Sequence, residues 1–427
     1  MKAEAKKIEE DAAAYWHTLG PGLVTGAADD DPSGNITYSQ AGAQYGLGLI
    51  WTMILTYPFM ATVQEMCARI GVVSGRGLAA NIRHHYPRYV LYGITAILFF
   101  ANTFNIAADL GAMAATTRLV MPGLAVGPLV VFFGALILFL EIYTTYARYA
   151  KYLKYLSLAL LSYVAVALVV HLDWGQVMSH ALVPSLSFSR GQIFLVCAIL
   201  GTTISPYLFF WQTAQEVEEE VARGEKTVHA RRHGNHAEAI RAMRTDVWSG
   251  MAFSNAVAFF IIAACAGTLY VHGIHDIQTA DQAALALKPF GEFAFLLFTL
   301  GIVGTGLLAV PVLAGSTAYA LSESFGWRVG LSRKLKQARA FYSVIIISMV
   351  LGIAANFMHL NPIKMLIYSA VANGIAAPFI LYFVVKLSGN ASVVGEHRNS
   401  RLTAWLGWVT VAFMAVSGIA AIASLAV

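Results

Sequence analysis

Charge is scarce in this sequence. Of 427 residues only 12% are Asp, Glu, Lys or Arg, whereas 58% are hydrophobic. An ordinary soluble domain carries about a quarter of its residues as charge, so a surface facing water on all sides is excluded. Cysteine is scarcer still. Cys67, Cys197 and Cys265 each lie within an apolar run, which excludes a disulfide framework and the paired spacing of a zinc site. A glycine-rich phosphate loop, a His-Glu-x-x-His metal-hydrolase pattern and a nucleophile elbow in a usable context are also missing, so no enzyme is read. The formal net charge of +5 falls in short clusters between apolar runs, without the continuous basic face that nucleic acid requires. Residues 1–14 are charged and helix-forming, with no apolar stretch leading to a cleavage site, so no removable signal peptide is expected.

What the chain does have is long apolar runs. A spanning helix needs about 20 largely apolar residues, and eleven segments qualify if two polar interruptions are allowed. They lie near 18–45, 48–72, 89–121, 127–146, 152–171, 192–215, 244–271, 289–322, 339–358, 362–386 and 403–425. Alternate connections are rich in Lys and Arg: Arg76, Arg83 and Arg88; Arg148, Lys151 and Lys154; 223–244; 328–339; and Lys386, Arg398 and Arg401. The opposite set holds little beyond Arg190 and Lys288. Because positive loops stay in the cytoplasm, the N-terminus is expected inside and, with an odd count, the C-terminus outside, in the plasma membrane. Trp16, Tyr89, Trp174 and Trp327 near span ends fit interfacial anchors.

The first and sixth runs are interrupted at membrane depth. Gly20-Pro21-Gly22 and Gly26 lead into Asp29-Asp30-Asp31-Pro32-Ser33-Gly34-Asn35, and the sixth run carries Gly201-Thr202-Thr203-Ile204-Ser205-Pro206-Tyr207. Each proline removes a backbone donor. Unwound backbone is tolerated in lipid only where it lines a cavity or is buried in protein, and paired broken helices in matching halves point to an inverted-repeat transporter with its site at the midplane. The fold expected is therefore an all-α integral membrane protein. Residues 1–17 would form a cytoplasmic segment, 18–171 the first repeat of five spans, 172–386 the second, and 387–427 a cytoplasmic loop with the eleventh span.

An ionised carboxylate inside a spanning helix is a functional candidate by default. Asp31 directly precedes a helix-breaking proline, where carbonyls freed from residues 26–30 could join it around a cation. Asp29, Asp30 and Asp31 cannot all share one small site without mutual repulsion, so one is expected to face the ion and the others a vestibule.

These residues carry a resemblance. Gly20-Pro21-Gly22, Asp31-Pro32-Ser33-Gly34, Gln40-Ala41-Gly42-Ala43-Gln44-Tyr45-Gly46 and Trp51 resemble the first-span signature of the NRAMP transition-metal transporters, and span order and loop lengths agree along essentially the whole chain. The resemblance implies a LeuT-type fold, with discontinuous helices 1 and 6, and divalent metal transport. Two departures bear on the ion. Manganese and iron carriers of that family read Asp-Pro-Gly-Asn in the first span; here Asp31 falls on the aspartate and Gly34 on the asparagine, with Asn35 about 100° further round a helix. Their sixth span reads Met-Pro-His; here Ser205-Pro206-Tyr207 stands in its place. Without the thioether, the remaining oxygen ligands suit hard cations. A wider, wetter site fits Mg2+, which sheds water reluctantly, and the chain is similar to the NRAMP-related magnesium transporters. The resemblance implies Asp31 as the charged ligand, Thr202 as a carbonyl contributor, and Ser205 and Gly34 as residues shaping the site. Mg2+ is then the expected cargo, with Mn2+ also accepted and no cofactor or obligate protein partner; the bilayer is the surrounding partner.

Proton coupling in transition-metal members uses further ionisable groups. Tyr207 replaces the sixth-span histidine, and Asp109 is followed three residues later by Ala112 instead of an acid, so weak or no coupling is expected. Asp109 fits a vestigial relay and an interhelical hydrogen-bond partner equally. Glu65, beside Gln64, is a gating candidate whose commoner role would be a packing hydrogen bond, and Asn373 lies near the depth where the tenth span approaches the site. Asp30 and Asn35 complete the surrounding candidates. Glu141 and Asp246, near span ends, are expected to be solvated or salt-bridged, and the charged stretch 216–244 to be a solvated cytoplasmic helix.

Overall fold

The structure, a computed structural model, describes residues 20–144, 160–187, 189–234, 236–291, 293–358 and 360–426. The N-terminal segment 1–17 with Trp16, the cluster Arg148, Lys151 and Lys154, and residues 152–159 of the fifth expected span lie outside the described residues.

The described chain is nearly all helical. The first expected span is two helices, α1 (Pro21–Asp29) and α2 (Pro32–Tyr45), followed by α3 (Trp51–Ser74), the short α4 (Leu78–His85), α5 (Arg88–Val120), α6 (Val126–Tyr143), α7 (Leu161–Val169) and α8 (Trp174–Leu182). The sixth span is again two helices, α9 (Arg190–Thr203) and α10 (Pro206–Ala222), followed by the short α11 (Val228–Arg232), α12 (His236–Cys265), α13 (Phe293–Phe325), α14 (Arg339–Ala355), α15 (Pro362–Ser388) and α16 (Arg401–Ala426).

Both interruptions fall at an X-Pro step. Asp31 and Ser205 have extended backbone at the N-caps of α2 and α10, and Pro32 and Pro206 open those helices. The residue before a proline is disfavoured in the α region, while proline itself suits the first helical position; the same local rule therefore breaks both spans.

Eight helices among the described residues are long and apolar enough to cross a membrane, or nine if Pro32–Leu49 and Trp51–Ser74, bent by 108°, count as one crossing. Eleven is not reached by that measure for physical reasons. The first expected span is divided, α3 carries Gln64, Glu65 and Arg69, and the fifth begins outside the described residues.

The two halves interlock at the breaks. α1 packs on α12, α2 on α12, α15 and α9, α10 on α3 and α13, and α5 on α13, α15 and α14. The closest approach is between α1 and α12: a Cβ on Gly26 would collide with the Gly250 carbonyl, and one on Gly250 with the carbonyl of Gly22. Close backbone contact through small residues is how helices associate where lipid removes the hydrophobic driving force between them. Tyr89, Trp174 and Trp327 are exposed near helix ends, as interfacial anchors require, and the three cysteines are buried and free.

Candidate functional site

Four carboxylates are buried around the first break. Asp29 ends α1, Asp30 and Asp31 form the break, and Asp109 of α5 lies beside Asp31 and Ser33; each is at most 1% exposed. The ion pairs among the described residues join Arg69 and Arg244 to Glu65 and Arg231 to Glu220, and include none of these aspartates. Buried negative charge without a paired cation is costly, so the break is a place where a cation is favoured.

Asp31 is the most firmly held. Its Oδ1 accepts from the Gly34 amide at 2.6 Å and the Ser33 hydroxyl at 2.9 Å, an N-cap of α2, while Oδ2 accepts from Asn105 Nδ2 at 2.9 Å. Asn105 is oriented in turn by the Ser369 hydroxyl, which donates to its Oδ1 at 2.8 Å. Side chains of α5 and α15 thus fix the carboxylate of α2. The other two aspartates of the break turn away: Ser254 of α12 donates to Asp29 Oδ2 at 2.8 Å and lies 3.2 Å from Asp30 Oδ1. That division sets Asp31 apart, while Asp29 and Asp30, which repel one another, share a single hydroxyl donor.

The second break faces the first. Tyr207 donates to the Ala28 carbonyl at 3.1 Å, and the Tyr38 and Thr203 hydroxyls are 3.0 Å apart. A Cβ on Gly34 would lie 2.8 Å from Thr202 Oγ1 and 3.3 Å from Asp31 Oδ1. Gly34 is therefore the point where the halves meet, and it leaves no room for a side chain in this conformation. Ser205 donates to the Thr202 and Gly201 carbonyls at 2.6 and 3.1 Å, keeping both of its lone pairs.

Of the surrounding candidates, Asn35 donates to the Asp30 carbonyl at 3.1 Å and to Thr305 at 3.4 Å, so it braces the break. Asn373 follows Ser369 by one helical turn on α15 and is buried. Glu65 is not brought to the site. It accepts from Arg244 at 2.9 Å and Trp248 Nε1 at 2.8 Å, which clamps α3 to α12.

Three expectations are corrected. Asp246 is buried and accepts from the amides of Gly20, Gly22 and Leu23 at 2.9, 2.6 and 3.0 Å. It is buried and forms no salt bridge among the described residues; it caps α1 from another helix, satisfying donors that helix leaves open. Glu141 is likewise buried, and neither of its oxygens has a hydrogen-bond partner among the described residues. The start of the 216–244 stretch continues α10, with Glu216 and Glu220 buried and Gln212 donating to Glu216 at 2.8 Å.

Several buried polar atoms of the candidate residues have no hydrogen-bond partner among the described residues: Asp29 Oδ1, Asp30 Oδ2, Asn35 Oδ1, Thr202 Oγ1, and both polar atoms of Asp109 and of Asn373. Such groups are rare in folded proteins and call for a water, an ion or a proton. All but the Asn373 amide nitrogen have acceptor capacity. Among the described residues no three His, Cys, Asp or Glu side chains gather as a metal cluster.

Asn105, Ser254 and Ser369 are not identifiable from the sequence, because single polar residues in apolar helices carry no motif; only the position of Asn105 four residues before Asp109, on the same helix face, signals it.

The sequence model of the family described as natural resistance-associated macrophage protein-like, Nramp, matches residues 22–424. A protein of Klebsiella pneumoniae named divalent metal cation transporter MntH is 26% identical over 407 residues, covering 93% of this chain and 91% of that one. The fold is similar to the Eremococcus coleocola manganese transporter, with a TM-score of 0.76 at 17% identity over 94% of this chain and 85% of that one. It is also similar to Mhp1, a nucleobase-cation-symport-1 family transporter, with a TM-score of 0.56 at 16% identity over 94% and 90%.

Proposed function

The chain belongs to the Nramp family, and from that premise we propose that it carries divalent metal cations across the plasma membrane, with Mg2+ as preferred cargo and Mn2+ also accepted. The observation that carries the reading is the Asp31 carboxylate, buried in the first helix break and held there by Ser33, Gly34 and Asn105, with unpartnered buried oxygens on its neighbours Asp29 and Asp30. The relative's name supports divalent transport. The residues at 34 and 205 support the harder ion, since neither supplies a soft ligand.

In this reading Asp31 is the charged ligand. Gly34, Thr202 and Ser205 shape the oxygen-lined space around a cation that keeps part of its water, while Asp30, Asn35, Asn373, Asp109 and Tyr207 stand round it. The orientation puts the N-terminus in the cytoplasm and the C-terminus outside. Alternating access then proceeds by movement of α1 and the helices packed on it around the break. With Tyr207 in place of histidine and Ala112 in place of an acid, transport is driven by the metal gradient and the membrane potential. A competing reading, proton-coupled Mn2+ import, draws on Asp109, whose unpartnered oxygens lie beside Asp31.

Uptake into proteoliposomes carrying an internal pH reporter tests both. Mg2+ flux without acidification is expected; acidification driven by Mn2+ with no Mg2+ flux would establish the competitor instead. In the same assay Ser205→Met is expected to shift preference toward Mn2+ or Cd2+, and an unchanged selectivity would remove Ser205 from the ion's surroundings.

A further inference from the structure

Away from the breaks, a 420 Å³ cavity opens between α4, the end of α13 and α11. Arg76, Arg83, His84 and Arg231 line it, with one carboxylate, Glu323. Glu323 is engaged by α4: its Oε2 accepts from the Ala80 amide at 3.0 Å at the start of that helix, where the helix dipole favours negative charge. Arg231 is occupied by the Gly75 and Glu225 carbonyls and by Glu220. Arg76 and Arg83 form no ion pair among the described residues, and Arg83 donates only to the Glu323 carbonyl at 3.3 Å. The cavity is therefore cationic, with guanidinium donors to spare.

Its rim has a second feature. Tyr92, Phe325 and Trp327 form a continuous exposed stack, with ring centroids 5.3 and 4.9 Å apart and planes within 21°. Aromatic rings of this kind sit at the level of lipid headgroups, and Gly326, between two of them, lies against the Arg83 guanidinium. A soluble anion would have no use for that stack. A lipid would use both parts, and basic pockets between spanning helices are where anionic headgroups are held.

We propose that this cavity seats the phosphate of an anionic phospholipid, bound by Arg76 and Arg83, with the glycerol and upper acyl carbons lying along the Tyr92–Phe325–Trp327 stack. The arginine fork matches phosphate oxygens bidentately. The site is separate from the ion path and does not rest on the choice of cargo.

Native mass spectrometry of the full chain, taken from nanodiscs of mixed phosphatidylglycerol and phosphatidylcholine, tests it. Phosphatidylglycerol is expected to be retained selectively, and Arg76→Ala with Arg83→Ala to weaken retention about 25-fold, from roughly one tenfold step or less per arginine. The paired control Arg333→Ala with Lys334→Ala, outside the cavity, should leave retention unchanged; equal loss in both pairs would mean general surface charge and overturn the site. A measurement on the unaltered cavity guards against misfolding. Brominated phosphatidylglycerol should quench the emission that Trp327→Phe removes, and brominated phosphatidylcholine should not. Equal quenching by both lipids, or displacement of the lipid by inorganic phosphate at matched ionic strength, would overturn the proposal.

Discussion

Asp31 is held by three donors from its own helix cap and from Asn105, so its charge is oriented before any ion arrives, which lowers the cost of binding. Asp31→Ala is expected to abolish Mg2+ transport while the protein still folds, because charge is lost but no packed core. Asn105→Ala should leave the charge and misplace it. A hydrogen bond to a charged group is worth about 1.5–3 kcal/mol, so Mg2+ affinity measured by calorimetry should fall by one to two orders of magnitude; unchanged affinity would show that Asp31 needs no support from α5. How far the sequence reaches at this scale is uneven. Asp31 is legible because a carboxylate directly before a proline inside an apolar run is too costly to serve packing alone. Asn105 and Ser369 are not, since their importance lies in a partner 74 residues away in one case and 264 in the other, and nothing local encodes it.

At the scale of elements, α1 is the short helix on which the inner half of the break depends. It is tied to α12 by Asp246 and the Gly26–Gly250 contact and to α10 by Thr25, which donates to Gln212 at 2.5 Å. In the proposed alternating-access cycle these ties would have to loosen to release an ion on that side, which would make Asp246 a latch. Asp246→Ala should destabilise the latched end by about 2–4 kcal/mol. Hydrogen exchange at the Gly22 and Leu23 amides should speed up accordingly, with the α5 amides as an internal reference; unaltered exchange would show that packing alone holds α1. From the sequence Asp246 reads as an end-of-span acid because its helix, taken alone, offers it only solvent. Its true partners are the amides of a helix more than 220 residues earlier.

For the whole molecule, a carrier of an uncompensated divalent cation must be electrogenic. A potential of about 100 mV, negative inside, favours entry by on the order of 4.6 kcal/mol, so imposing it on proteoliposomes should accelerate Mg2+ uptake, and indifference to voltage would mean that a counter-ion travels too. That expectation follows from the proposed cargo, and it needs no detail of packing. The sequence by itself determined the membrane class, the extent of several long helices such as Arg88–Val120 and Pro362–Ser388, and both breaks, because hydropathy and the X-Pro step act over a few neighbouring residues and are written locally. Only the tertiary structure decided that Asp29 and Asp30 both meet Ser254, that Gly34 lies against Thr202 of the second break, and that Asp246 closes α1 while Glu65 clamps α3. Those outcomes depend on which helices are adjacent, and the packing of small residues that sets adjacency is not visible in any one helix.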